Sequence, residues 1–364
     1  MTQTTESFSV SVANVRKAYG VTKALDDVSL TVQAGEFLTL LGPSGCGKTT
    51  LLNLIAGFVQ PDQGTICIDG ESVNELPPYR RSIGMVFQHY ALFPHMSVAD
   101  NVGFGLKMRQ VPKSEIAVRV KAALEMVRLG QLGERRPREL SGGQQQRIAL
   151  ARALVINPKV VLLDEPFSAI DKNLRAEMQV ELKQIQQRLG ITTIFVTHDQ
   201  SEALSLSDRI AVMSHGQIEQ LSAPADLYRH PASSFVASFI GDINRLPCVI
   251  KARTETTCTV AVADTPLTLP ITHPALSIGA AALLFIRPEE LTLVPAQSDA
   301  ANLGTGRVDT HVYQGTHVDV YVRFSDARVL RVRHPGWQAT SLFALGQAVG
   351  VQANLQQAFI FPAS

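Results

Sequence analysis

No stretch of this chain is apolar for long enough to cross a bilayer. Among the longest apolar runs is Ala280–Ile286, far short of the roughly 20 residues that a spanning helix needs. If the protein works at a membrane, it must dock on other chains that span it. Cysteine is scarce: Cys46, Cys67, Cys248 and Cys258, with no C-x-x-C pair. That excludes a disulfide scaffold and a paired-cysteine zinc site, and it suits a reducing, cytoplasmic setting. Net charge is almost absent, with 33 Lys and Arg against 32 Asp and Glu. The chain as a whole therefore has no electrostatic pull toward nucleic acid or an anionic membrane. Met1–Ser9 is rich in Thr and Ser and lacks the apolar stretch of a signal peptide. Low-complexity segments and short repeats are also missing.

The 364 residues are too many for one ordinary core, so two or three domains are expected. Up to about residue 235, short apolar runs alternate with helical patterns, as β-α units do. Phe37–Leu41, Val160–Leu163, Ile194–Thr197 and Ile210–Met213 are candidates for strands buried on both faces. Glu115–Arg128 and Lys172–Leu189 read as helices. After about Gly241 the helical period fades and period-two alternation takes over. Val318–Phe324, a turn at Ser325–Arg328 and Val329–Arg333 form a hairpin signature. Thr257–Val262 and Leu283–Ile286 also read as strands, so a compact barrel-like β domain is expected.

The first chemical motif is the run Gly42, Pro43, Ser44, Gly45, Cys46, Gly47, Lys48, Thr49, which fits G-x-x-x-x-G-K-S/T. A strand precedes it and the helix Thr49–Ala56 follows. Glycines let backbone N–H groups curl around phosphate oxygens, and the helix N-terminus adds partial positive charge. Lys48 is expected to reach the β- and γ-phosphates and the Thr49 hydroxyl to bind Mg²⁺. Thr50, next in the helix, belongs to the same nucleotide-binding set. The alternative is a Gly-rich turn before an ordinary helix. Because Cys46 lies within the loop, a thiol reagent is expected to inhibit, with ATP protecting.

Val160–Leu163 runs into Asp164, Glu165 and Pro166. A carboxylate at the strand tip, Asp164, can hold Mg²⁺, and Glu165 can polarise an attacking water as general base. Alone, the same residues read as a strand surfacing into a polar turn. Upstream lies Leu140, Ser141, Gly142, Gly143, Gln144, at the start of a helix running to about Val155. Ser141 and Gln144 make a capping box, which leaves the two glycines unexplained. A second open helix start suggests a second anion site. One nucleotide could then lie between the phosphate loop of one copy and the Ser-Gly-Gly of another.

This L-S-G-G-Q segment resembles the signature of ABC ATPases. The order of phosphate loop, signature and acidic strand end matches that family over roughly residues 8 to 240. The resemblance implies an α/β P-loop NTPase fold, with an ABC nucleotide-binding domain at 8–240 that includes a helical subdomain at about 90–158. It implies ATP and Mg²⁺ as ligands and a head-to-tail dimer with two ATP molecules between the copies. It also assigns Gln88 to the glutamine that contacts Mg²⁺ and links the site to the transmembrane partner. His198 becomes the switch histidine near the γ-phosphate, Asp171 the D-loop aspartate, and Tyr19 the aromatic stacked on adenine. Without the family, His198 reads equally as a core residue at a strand end and Tyr19 as an exposed aromatic. Ile170 stands where Leu is usual, and His89 where Ser is common.

Ile286–Glu289 and the β run after it resemble the C-terminal TOBE-type domain of bacterial ABC importers, which implies a small OB-like all-β domain at 241–364. Such barrels can bind nucleic acid, and Arg323, Arg328, Arg331 and Arg333 cluster on one hairpin. A soluble ABC-type ATPase acting on nucleic acid or ribosomes is therefore the reading of another class. That class usually carries two nucleotide domains or a coiled-coil insertion, and this chain shows one phosphate loop, one signature and no heptads. The importer reading implies two transmembrane permease subunits and, indirectly, an extracytoplasmic solute-binding protein. It places the chain peripherally on the cytoplasmic face of a bacterial inner membrane, with no nucleic acid expected. Pro78–Ser97 and the segments Asp226–Pro231 and Phe239–Asn244 are similar to spermidine/putrescine importer ATPases. Aminoalkylphosphonate, ferric iron and sugar importers share much of both.

Overall fold

The computed structural model describes residues 8–168, 170–263, 265–271, 276–336 and 343–363. They fall into two compact units, divided between Leu227 and Tyr228.

The first unit is α/β. Its main sheet has six strands in the spatial order Gln217–Ser222, Arg209–Ser214, Phe37–Leu41, Thr192–Thr197, Val160–Asp164, Ile83–Val86. Every neighbouring pair is parallel except the Gln217–Ser222 edge, which returns antiparallel. Phe37–Leu41 and Thr192–Thr197 are buried at every position, so alternation is absent and even their threonines lie inside. Helix Lys48–Ala56 covers one face with Leu51, Leu52 and Ile55. On the other, Phe195 packs between Phe37 and Phe167, at centroid separations of 5.8 and 5.9 Å. A second sheet is antiparallel, built from Val10–Tyr19, Thr22–Val32, Gln63–Ile68 and Glu71–Ser72. Helices Val98–Met108, Lys113–Met126 and Gly142–Leu154 pack together around Val102, Leu106, Leu124 and Ile148.

The second unit holds two five-stranded antiparallel sheets around one core. The alternation of Cys258, Val260 and Val262 with half-exposed neighbours is the period-two signal realised. His317–Arg323 and Val329–Pro335 form the expected hairpin. Composition places the start of this domain near residue 241, yet Tyr228–Ile240 clusters with the second unit. The physical reason is Arg287. Its guanidinium stacks 3.7 Å from the Tyr228 ring centroid and donates to the carbonyls of Tyr228 and Ile240. The Tyr228 hydroxyl donates to Glu289, and burial pushes its pKa to about 12. Helical sequence is thus anchored to a β domain by one arginine.

The hairpin arginines are not a free basic patch. Arg323 pairs with Asp309, Arg328 with Asp326, Arg331 with Asp242, and Arg333 with both Asp319 and Asp242.

Replacing Phe195 by Ala removes a ring that is fully buried between two others. We expect a loss of about 3–5 kcal/mol in stability, read by denaturant unfolding of the purified chain.

Candidate functional site: a nucleotide site at the carboxyl edge of the sheet

Four adjacent parallel strands deliver the candidate residues to one edge. In spatial order they are Phe37–Leu41, Thr192–Thr197, Val160–Asp164 and Ile83–Val86. The phosphate loop follows the first, His198 the second, Glu165 the third and Gln88 the fourth. Ligand sites of open α/β sheets lie outside the carboxyl ends of the strands, and this sheet obeys that rule.

In the loop, Pro43, Ser44, Gly45 and Thr49 are exposed, Gly47 and Thr50 half-buried, and Gly42, Cys46 and Lys48 buried. Gly47 has φ +107°, and a Cβ there would lie 2.5 Å from the Ala24 carbonyl oxygen. Only glycine allows the loop to turn into its helix at this point. Lys48 Nζ donates to the carbonyls of Gly42 at 2.7 Å and Pro43 at 3.0 Å, and lies 3.7 Å from Cys46 Sγ. Its charge is thereby held inside the loop. The Thr49 hydroxyl donates to Asp164 Oδ1 at 3.4 Å. Burial, and then the adjacent Glu165 charge, push the Asp164 carboxyl above its ordinary value. A half-buried carboxylate beside an exposed hydroxyl is a hard-oxygen donor set of the kind Mg²⁺ prefers.

Glu165 is the hub. Its backbone adopts φ +43° where the strand ends. The Glu165 N–H donates to Val196 O at 3.0 Å, and its carbonyl accepts from Ser168 N at 3.2 Å. The two carboxylate oxygens face different partners: Oε1 lies 3.1 Å from His198 Nδ1, and Oε2 accepts from Gln88 Nε2 at 3.2 Å. The side chain keeps about a fifth of its surface open (21%), enough to meet a water.

Other sequence-derived residues take a different place. Ser141 and Gln144 close the capping box on helix Gly142–Leu154, with Ser141 N donating to Gln144 Oε1 at 3.0 Å and Gln144 N to Ser141 Oγ at 3.3 Å. Ser141 and Gly142 face solvent. Gly143 has a packing reason: a Cβ there would meet Leu174 Cδ2 at 2.7 Å. Among the described residues, no hydrogen bond joins this stretch to the Lys48–Glu165 cluster. Asp171 caps helix Lys172–Leu189 through Leu174 N at 3.1 Å. Tyr19 ends its strand half-exposed, with Lys17 Nζ 5.7 Å from the ring centroid.

Sequence reading passed over Arg175 and Asn101. Arg175 donates to Ile170 O at 3.0 Å and reaches Asp199 Oδ2 at 3.3 Å, tying the stretch before Asp171 to the one after His198. Asn101 is fully buried and bonds the Phe93 N–H and the carbonyls of Phe93 and Ser97. A polar residue on the apolar face of a helix was the available signal for Asn101. Arg175 offered none, because its carboxylate partner Asp199 is distant in sequence.

Comparison with known proteins gives the family. Residues 25–168 match the ABC transporter family and residues 284–361 the TOBE domain. In a solved dimeric structure of the ATP-binding cassette MJ0796 in a post-hydrolysis state bound to ADP and Pi, the matched chain is 34% identical, with a TM-score of 0.54. The match covers 59% of this chain and 98% of that one. The chain belongs to the ATP-binding subunits of ABC transporters, ATPases whose hydrolysis is coupled to transport. Among curated relatives, it is 50% identical to the spermidine/putrescine import ATP-binding protein PotA of Nitratidesulfovibrio vulgaris, over 88% of each chain. It is 46% identical to the protein of that name in Pseudomonas fluorescens, over 98% of this chain and 99% of the other. Among the described residues, no helix is long and apolar enough to cross a membrane.

The expected thiol sensitivity of the loop is revised by burial. Cys46 packs inward with Leu52, Ile55 and Met213, and only 4% of it is exposed. Burial raises the Cys248 thiol to about 11 and also raises Cys258. Cys67 alone is half-open. A thiol titration of the native chain at neutral pH should therefore show fast reaction at Cys67 only, unchanged by ATP, and all four thiols after denaturation. Fast labelling of Cys46 that ATP blocks would contradict this packing.

Proposed function

We propose that the chain is the ATP-hydrolysing motor of an importer for the polyamines spermidine and putrescine. The observation that carries the hydrolytic role is the Glu165 carboxylate, fixed between His198 and Gln88 at the end of a buried strand. The cargo assignment rests on the curated relatives at 46–51% identity, all described as spermidine/putrescine import proteins. The ATP site itself does not touch cargo and reads none of it.

Glu165 takes the proton of the attacking water as that water closes on the γ-phosphate. His198, from the neighbouring strand, holds the water and the γ-phosphate oxygens in line. Lys48 offsets the charge that builds on the phosphates. Its ammonium has three donors, of which two are committed to Gly42 and Pro43 carbonyls, and the weak contact to Cys46 Sγ yields to a phosphate oxygen. Thr49, Asp164 and Gln88 would hold Mg²⁺, which when bound would supply positive charge to offset that of the phosphates. Backbone N–H groups of Gly45, Gly47, Lys48, Thr49 and Thr50 cradle the phosphates, and Tyr19 stacks on the adenine.

Ser141 and Gly142 lie open at a helix start. We assign them, with Gly143 and Gln144, to the γ-phosphate of the ATP held by a second copy, and Asp171 to the same dimer interface. The resulting head-to-tail dimer closes on ATP and opens after hydrolysis. Gln88–Ser97 carries that motion to two permease subunits at the cytoplasmic face of the membrane, and an extracytoplasmic binding protein brings the polyamine.

Cells lacking this gene should lose uptake of labelled putrescine and spermidine, and only the wild-type gene should restore it. Glu165→Gln should bind ATP, form the ATP-dependent dimer and lose about 10²–10⁴-fold in turnover. Uptake that Glu165→Gln restores in full would contradict the hydrolytic role. Loss of phosphonate, iron or sugar uptake in place of polyamine uptake would reassign the cargo.

A further inference from the structure

The loop after Gln88 has an unusual backbone. Tyr90 and Ala91 both take positive φ, +60° and +47°. Left-handed geometry in two successive non-glycine residues is unfavourable, and tyrosine carries the larger penalty. Such a turn persists only when its surroundings enforce it. Here the enforcing group comes from another element. Arg152, in the last turn of helix Gly142–Leu154, donates Nη2 to Tyr90 O and Nη1 to Ala91 O, each at 2.7 Å. Its guanidinium carbon also lies 5.8 Å from the Phe93 ring centroid. Two short charge-assisted bonds from a planar fork fix both carbonyl directions at once. Downstream, Asn101 pins Phe93 and Ser97. Upstream, Gln88 Nε2 donates to Glu165 Oε2 at 3.2 Å.

We propose that Arg152 is a positioning residue for ATP hydrolysis. It locks the left-handed turn at Tyr90–Ala91, and that turn sets the Gln88 amide against the Glu165 carboxylate. The helix that starts at the exposed Ser141 thus ends on the loop that serves the hydrolytic carboxylate. A rotation of that helix moves Gln88 through two hydrogen bonds rather than through diffuse packing. The inference rests on the assignment of Glu165 and Gln88 to hydrolysis made above.

Steady-state ATPase measurements on the purified full chain test it, using Arg152→Ala, Arg152→Lys, Gln88→Ala and combinations. Arg152→Ala should lower kcat by about ten- to a hundredfold, as a small misplacement of a catalytic group does, with KM for ATP within about twofold. Arg152→Lys offers one donor direction in place of the fork and should fall between. The double variant Arg152→Ala/Gln88→Ala should be no slower than Gln88→Ala alone, because both remove the same contact. Adding Ala91→Gly to Arg152→Ala should recover part of kcat, since glycine adopts the turn at little cost. Multiplicative losses in the double variant, or a raised KM with kcat unchanged, would overturn the proposal. If Arg152→Ala does not fold, the cycle of Arg152→Lys with Gln88→Ala makes the same comparison. Wild-type kcat in Gln88→Ala would sink the reading of the site itself. Loss in Gln88→Ala beside wild-type kcat in Arg152→Ala would sink the Arg152 role alone.

Discussion

One carboxylate, at Glu165, ties together three neighbouring strands of the parallel sheet. Gln88 ends the strand on one side, His198 the strand on the other, and both side chains turn inward to the two oxygens of Glu165. The backbone there sits at φ +43°, a conformation costing a non-glycine residue about 1–3 kcal/mol. The bonds that Glu165 makes through its N–H, its carbonyl and its carboxylate are each worth about 1 kcal/mol, or up to about 3 where a charge takes part. The strain is thus of the same size as the contacts that hold it, and it persists because the sheet beneath it is rigid. Phe37–Leu41 and Thr192–Thr197 have no exposed residue, so the edge cannot slide without opening the core.

That rigidity explains how polar chemistry is arranged on a small number of residues. Lys48 is held by carbonyls of its own loop, so its charge stays beside the phosphate site. Asp164 is held under the loop by Thr49, with a carboxyl that burial makes reluctant to ionise. The signature stretch lies outside this network, and the side chains of Ser141 and Gln144 each accept from the other's backbone N–H. A helix start that is complete within its own chain, yet open to solvent, suits a surface that meets its ligand on a second copy.

The sheet, the phosphate loop and the acidic strand end were legible because each is written in consecutive residues. An unbroken apolar strand followed by a glycine loop or by two carboxylates needs no tertiary information. Gln88 and His198 were named only through resemblance to a family, since their shared partner Glu165 lies far along the chain, and Asp171 and Tyr19 came from the same resemblance. Arg152 and Arg175 escaped because Tyr90, Ala91 and Asp199 lie far from them along the chain, and because arginine in a helix reads as a surface residue, whereas Asn101 bonds residues close by. The domain boundary also escaped composition. Tyr228–Ile240 has helical character, but Arg287 fastens it to the β unit. The arginines of the hairpin were visible as a cluster, whereas their pairing with Asp242 and Asp309, outside the hairpin, was not. Gly143 shows the converse: packing against Leu174, which the sequence did not show, leaves no room for a side chain there.

The most direct test of this account is a double-mutant cycle between Glu165 and His198, read as single-turnover ATP hydrolysis. If the two act on one water through the contact seen here, Glu165→Gln, His198→Ala and the double variant should all collapse to a similar residual rate, with ATP affinity retained. Losses that multiply in the double variant, or rapid hydrolysis in Glu165→Gln, would mean that the carboxylate held between Gln88 and His198 is not the group that activates the water.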